Sequence, residues 1–168
     1  MTVIADYTEE EQQLLRSALE AAAVAVSAAS PGRKEETVSE GYAAAVFVLE
    51  SGPEYVGDTL ITSIIVQLQS DLKQGHAFPD YLDVATAPGA LDESMAVLRR
   101  VATLLDSKAT PAEATGYKGW LMDIARAVAR AGKEDQGFLG HGGVMVNDAE
   151  RQALDAMART LGLQPQQS

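Results

Sequence analysis

Four times along the chain a threonine or asparagine stands three residues ahead of a glutamate: Thr8 and Glu11, Thr37 and Glu40, Thr110 and Glu113, Asn147 and Glu150. That spacing is a capping box. The first side chain accepts a hydrogen bond from an orphan N–H of the opening helical turn, and the glutamate reaches back to the backbone N–H of the cap. Each box is followed by apolar residues separated by three and four positions, the recurrence of one helix face rather than the two-residue alternation of a half-buried strand. A chain punctuated in this way is built from helices.

From Thr8 the inner face reads Leu14, Leu15, Ala18, Leu19, Ala22 and Val26, until "SPGRK" breaks it near Ser30. From Thr37, the residues Val38, Tyr42, Ala45, Val46 and Leu49 form a stripe. Ala43, Ala44, Phe47 and Val48 make the remaining surface apolar as well, so the 37–51 helix is expected near the centre of the bundle. "TLITSIIVQLQSDLKQ" is rich in β-branched residues that suit a strand, yet Leu60, Ile61, Ile64, Ile65, Leu68 and Leu72 keep helical spacing over a length few strands reach. Residues 74–90 are the longest stretch without periodicity, with a short helical turn expected over Pro79 to Val84.

The pattern then returns as Leu91, Met95, Leu98, Val101 and Leu105. After Thr110 and Pro111, Tyr117, Leu121, Ile124 and Val128 face inward, while Asp123, Arg126, Arg130 and Glu134 share a solvated face. Gly116 and Gly119 read as points where a neighbouring backbone comes close. The last helix turns Leu154, Met157, Ala158 and Leu161 inward and ends at Gly162, a left-handed cap over which Leu163 folds back. The sum is an all-α fold: a single compact bundle of about six helices in one domain over residues 1–168, with residues 1–7 and 164–168 frayed.

Cysteine is absent, which removes thiol catalysis, disulfides and every cysteine-ligated metal centre. The N-terminal stretch lacks a basic region ahead of an apolar one, and no apolar run approaches the ~20 residues that span a bilayer, so a soluble cytoplasmic protein without membrane insertion is expected. Residues 1–92 carry 15 acids and 4 bases, whereas residues 93–168 carry 9 of each, so the whole net charge of −11 lies in the first half. Such a field repels phosphate backbones and argues against nucleic acid as a ligand. It attracts cations or a basic protein surface.

The segment "GFLGHGGVMVNDAE", 137–150, sets Gly137, Gly140, Gly142 and Gly143 around His141. A phosphate loop would lead from a strand into G-K-[ST], and here a helix precedes it. The stronger reading is a corner whose Phe138, Leu139 and Val144, with Val146, plug onto the bundle; Phe138, Leu139, His141 and Val144 are its candidate interaction residues. His76, Asp80 and Asp83, with Phe78 and Tyr81, form a second polar cluster, and either histidine could serve an enzyme as base. No nucleophile elbow accompanies them, and no catalytic residue is assigned. Trp120 and Tyr117 read as core filling, with a ligand wall as the alternative.

The string "YKGWLMDIARAVARAGKEDQGFLGHGGVMVNDAERQAL" resembles the C-terminal half of a group of small bacterial helical proteins of uncharacterised function, in which a Y-K-x-W-L helix leads into a G-F-L-G-x-G-G loop. More coarsely the chain is similar to tellurite-resistance TerB-type domains, in which a glycine, an apolar residue, a capping residue and a glutamate mark a helix start. Gly143, Val146, Asn147 and Glu150 match that order, and Gly32, Thr37 and Glu40 match it loosely, which suggests an internal duplication. Where the TerB-type pattern expects an acid, this chain has Ser30-Pro31 and His141-Gly142. The resemblance implies a cation-binding stress protein with a divalent cation held by Glu36, Glu40, Asp148 and Glu150. The reading preferred over it, and over an enzyme, is a non-enzymatic helical module without a cofactor, acting through a protein partner or self-association.

Overall fold

The computed structural model describes residues 1–75, 80–134 and 148–164. Among them stand seven helices and no strand: α1 (Glu9–Ala29), α2 (Lys34–Glu50), α3 (Thr59–Lys73), α4 (Tyr81–Ala85), α5 (Ala90–Lys108), α6 (Pro111–Glu134) and α7 (Asp148–Thr160). Two 3-10 turns, Ile4–Asp6 and Gly52–Tyr55, precede α1 and α3. Six of the helices are those the spacing predicts, and α4 is the short turn expected between them. The contested 59–73 stretch is helical, with Leu60, Ile61, Ile64, Ile65 and Leu68 buried on one face, while Leu72, expected with them, is exposed in the last turn.

Two of the capping boxes form as expected. At α1, Glu11 N donates to Thr8 Oγ1 (3.3 Å) and Thr8 N donates to Glu11 Oε2 (2.9 Å). At α6, Glu113 N donates to Thr110 Oγ1 (3.4 Å) and Thr110 N donates to Glu113 Oε2 (3.1 Å). The Thr37 and Glu40 pair does not cap. The helix begins upstream at Lys34, Arg33 N donates to Glu36 Oε2 (2.9 Å), and Thr37 Oγ1 turns to the Arg33 carbonyl (3.4 Å). With Arg33 as the cap residue, the glutamate three positions on is Glu36, which closes the box and leaves Glu40 outside it. Asn147 lies outside the described residues.

The centre of the bundle is α1, not α2. Every residue from Ala21 to Ser27 is buried, and α1 packs against α5, α6 and α7 as well as α2 and α4. Its alanines let neighbouring helices approach closely, and the large side chains come from those neighbours: Trp120 and Tyr117 are both fully buried, edge to face at 5.7 Å. Tyr117 Oη donates to the Leu15 carbonyl (2.6 Å) and Trp120 Nε1 to Ser51 Oγ (3.1 Å), so both rings fill core rather than wall a ligand site.

Both ends of the bundle are secured. Within residues 1–7, expected to fray, Met1 is exposed, but Ile4 and Tyr7 are buried, Ile4 N donates to Ser63 Oγ (2.9 Å), and Thr59 Oγ1 donates to the Thr2 carbonyl (2.8 Å). At the other end Gly162 has φ +72° and Leu163 N donates to the Ala158 carbonyl (2.8 Å), the expected left-handed cap.

Candidate functional site

Of the acids considered as cation ligands, Glu36 is bound to its own helix start, where the Arg33 N–H and then the Arg33 guanidinium hold its carboxyl below the usual range. Glu40 is buried, and its Oε2 accepts from Ser27 Oγ (2.6 Å). Asp148 is exposed and pairs with Arg151 (2.8 Å), and Glu150 is buried on α7, a helix whose neighbours are α1, α5 and α6. Among the described residues no three metal-ligating side chains come together. Phe138, Leu139, His141 and Val144 lie outside the described residues, as do His76 and Phe78.

The remainder of the second polar cluster is structural. Asp80 caps α4, accepting from Leu82 N (3.1 Å), and Asp83 is exposed. Tyr81 lays its ring against Gly41 of α2 and its hydroxyl 2.8 Å from Ser27 Oγ, so α4 is joined to α1 and α2 through a tyrosine, a serine and a buried carboxylate. Burial, with Glu40 and Glu20 nearby, pushes the Tyr81 phenol up, so it stays protonated. The same burial raises the Glu20 carboxyl. Tyr81 and Ser27 are contacts that spacing did not reveal. Their one trace in the sequence is Gly41, a glycine inside a helix with no local need for one.

The feature left over is the outside of α2. Three of the five residues in the stripe expected to face the core face away from it: Val38 is 51% exposed, Tyr42 73%, and Ala45 is exposed too, whereas Val46 is half-buried and Leu49 packs against the core. The buried side is instead Glu36, Thr37, Glu40, Ala44 and Val48. With an apolar surface all round, the hydrophobic pattern cannot choose a side. The choice fell to the polar bonds of Glu40 and the small surface of Ala44, which suits close packing on α6.

Next to this exposed stripe a groove of about 440 Å³ runs between α2 and α6, floored by Ala43, Val46, Phe47, Ala127 and Ala131. Glu50 and Glu54 stand on its α2 side and Arg130 on its α6 side. None of these three charges forms an ion pair among the described residues. At one end Tyr55 Oη donates to Asp123 Oδ2 (2.7 Å), and Arg126 holds the other oxygen of that carboxylate (2.7 Å). A second cleft, of about 310 Å³, lies between the α1–α2 junction and the α4–α5 junction, its lining including Ser27, Gly32, Thr37, Gly89 and Asp92.

No helix among the described residues is long and apolar enough to cross a membrane. No protein-family model, curated protein or solved structure matches the chain.

Proposed function

We propose that this chain is a helical interaction module whose docking surface is the outer face of α2 together with the α2–α6 groove, and whose occupant is an amphipathic helix of a partner protein. The supporting observation is the stripe of Val38, Tyr42 and Ala45 left in solvent on a helix whose polar Glu36, Thr37 and Glu40 are buried instead. Burying one side chain of the Val or Phe class from water contributes about 1.5–3 kcal/mol, so a contiguous apolar face left open holds free energy that only a contact outside the monomer can recover. The groove beside it is shaped for the ridge of another helix, with small alanines at its floor.

The experiment is site-specific photo-crosslinking in cells. A photoreactive phenylalanine at Tyr42 or Val46 is expected to capture a discrete adduct that one at Arg99, exposed on α5, does not. Equal labelling from all three positions, or none from Tyr42 and Val46, would remove the proposal.

A further inference from the structure

The charges around the groove go further than its apolar floor, and the following rests on the docking surface just proposed: we infer that the occupant is a basic amphipathic helix, seated with its lysine or arginine flank against Glu50 and Glu54. Three observations carry this. The two glutamates stand together on the α2 side of the groove, with no ion-pair partner among the described residues. Glu35 is exposed on the same helix, and the full net charge of −11 belongs to the half of the chain that supplies α2. A second copy in the groove would bring together two molecules of net charge −11, which like-charge repulsion opposes. Arg130, on the opposite side, repels a basic flank and so directs it towards α2.

The test uses the full chain and two synthetic amphipathic peptides of about 18 residues, five turns of helix, with one leucine stripe and flanks of either lysine or glutamate. Binding is read by fluorescence anisotropy at about 0.15 M salt, where charges within ~8 Å still interact. The lysine peptide is expected to bind at least about tenfold tighter than the glutamate peptide, a gap of about 1.4 kcal/mol. Glu50→Lys with Glu54→Lys should abolish or invert the preference, and Arg130→Glu should tighten the lysine peptide. Val38→Ser with Tyr42→Gln, both at exposed positions and checked for retained helicity, should weaken both peptides.

Equal affinity for the two peptides, or a preference that survives the Glu50 and Glu54 reversal, overturns the inference. Tighter binding of the glutamate peptide, lost in the Val38 and Tyr42 variant, overturns the charge assignment while leaving the docking surface standing. Failure of both peptides overturns both. Two further results assign the groove to another occupant and also overturn it. One is a concentration-dependent dimer in sedimentation that Tyr42→Glu dissolves; the other is a tenfold gain in peptide affinity on Phe138→Ser with Leu139→Ser.

Discussion

Glu113 joins two parts of the molecule that are far apart in sequence. Its carboxylate takes the Thr110 hydroxyl (2.6 Å) and backbone N–H, and also the backbone N–H of Thr2, so one side chain caps α6 and holds the N-terminal segment. The Thr110 hydroxyl first, and then the Thr2 N–H, lower its pKa to about 2 from the ordinary 4.5. Between those values the unfolded chain binds a proton that the folded chain refuses. The contribution is therefore full above about pH 5 and lost as pH falls towards 2. Glu113→Gln is expected to flatten that part of the profile of thermal midpoint against pH, followed by circular dichroism; an unchanged slope would count against the assignment. Glycines give a second residue-scale contrast. A Cβ on Gly41 would meet Tyr81 Cγ at 2.6 Å and Cβ at 3.0 Å, and so expel the ring from α2, whereas a Cβ on Gly119 meets nothing within 4 Å. Gly41→Ala should destabilise by about 1–3 kcal/mol. Gly119→Ala should stabilise by about 0.5–1 kcal/mol, both read by urea denaturation. A Cβ on Gly116 would meet a side chain, Asp58 Oδ2 at 2.5 Å, and not the backbone expected there; Asp58 caps α3 by accepting from Ile61 N.

Among the helices, α1 and α2 exchange the places their sequences suggest. The 37–51 segment is apolar on every side and reads as central; α1 has the clearer stripe and reads as half-exposed. In the fold, the alanine-rich second half of α1 is enclosed by neighbours because small side chains permit approach from all directions, while α2 needs one polar side turned inward to satisfy Glu40. The positions of tolerance follow. Val38→Ser with Tyr42→Gln, in solvent on α2, should shift stability by no more than about 0.5 kcal/mol per site. Ala22→Leu, at a fully buried alanine of α1, should lower it by about 1–3 kcal/mol through overpacking. The reverse order in a denaturant series would restore α2 to the centre.

For the whole molecule, the acidic excess of α1 and α2 is concentrated on elements that pack into one bundle, so repulsion among them opposes folding at low ionic strength. Raising salt from about 0.01 M to about 0.15 M, which shortens the Debye length from ~30 to ~8 Å, should raise the thermal midpoint. A fall would mean that ion pairs such as Arg16 with Asp71 (3.0 Å) and Lys108 with Glu11 (2.7 Å) outweigh that repulsion. What was readable from residue order alone was most of what is local, the exception being the cap of α2, where Arg33 and Glu36 close the box in place of Thr37 and Glu40. Helix type, the caps at Thr8 and Thr110, the stop at Gly162 and the inward faces of α3 and α6 are set by neighbours three to five positions away, and their bonding partners lie within the same turn. What the packed structure decided was which side of a uniformly apolar helix meets the core, and that Ser27, Tyr81 and Glu40 meet across three helices. Those outcomes depend on partners many positions away, whose competing polar bonds and side-chain volumes are compared only when the helices pack together. The docking surface on α2 is of that second kind: its residues were legible as apolar, and only packing left them in solvent.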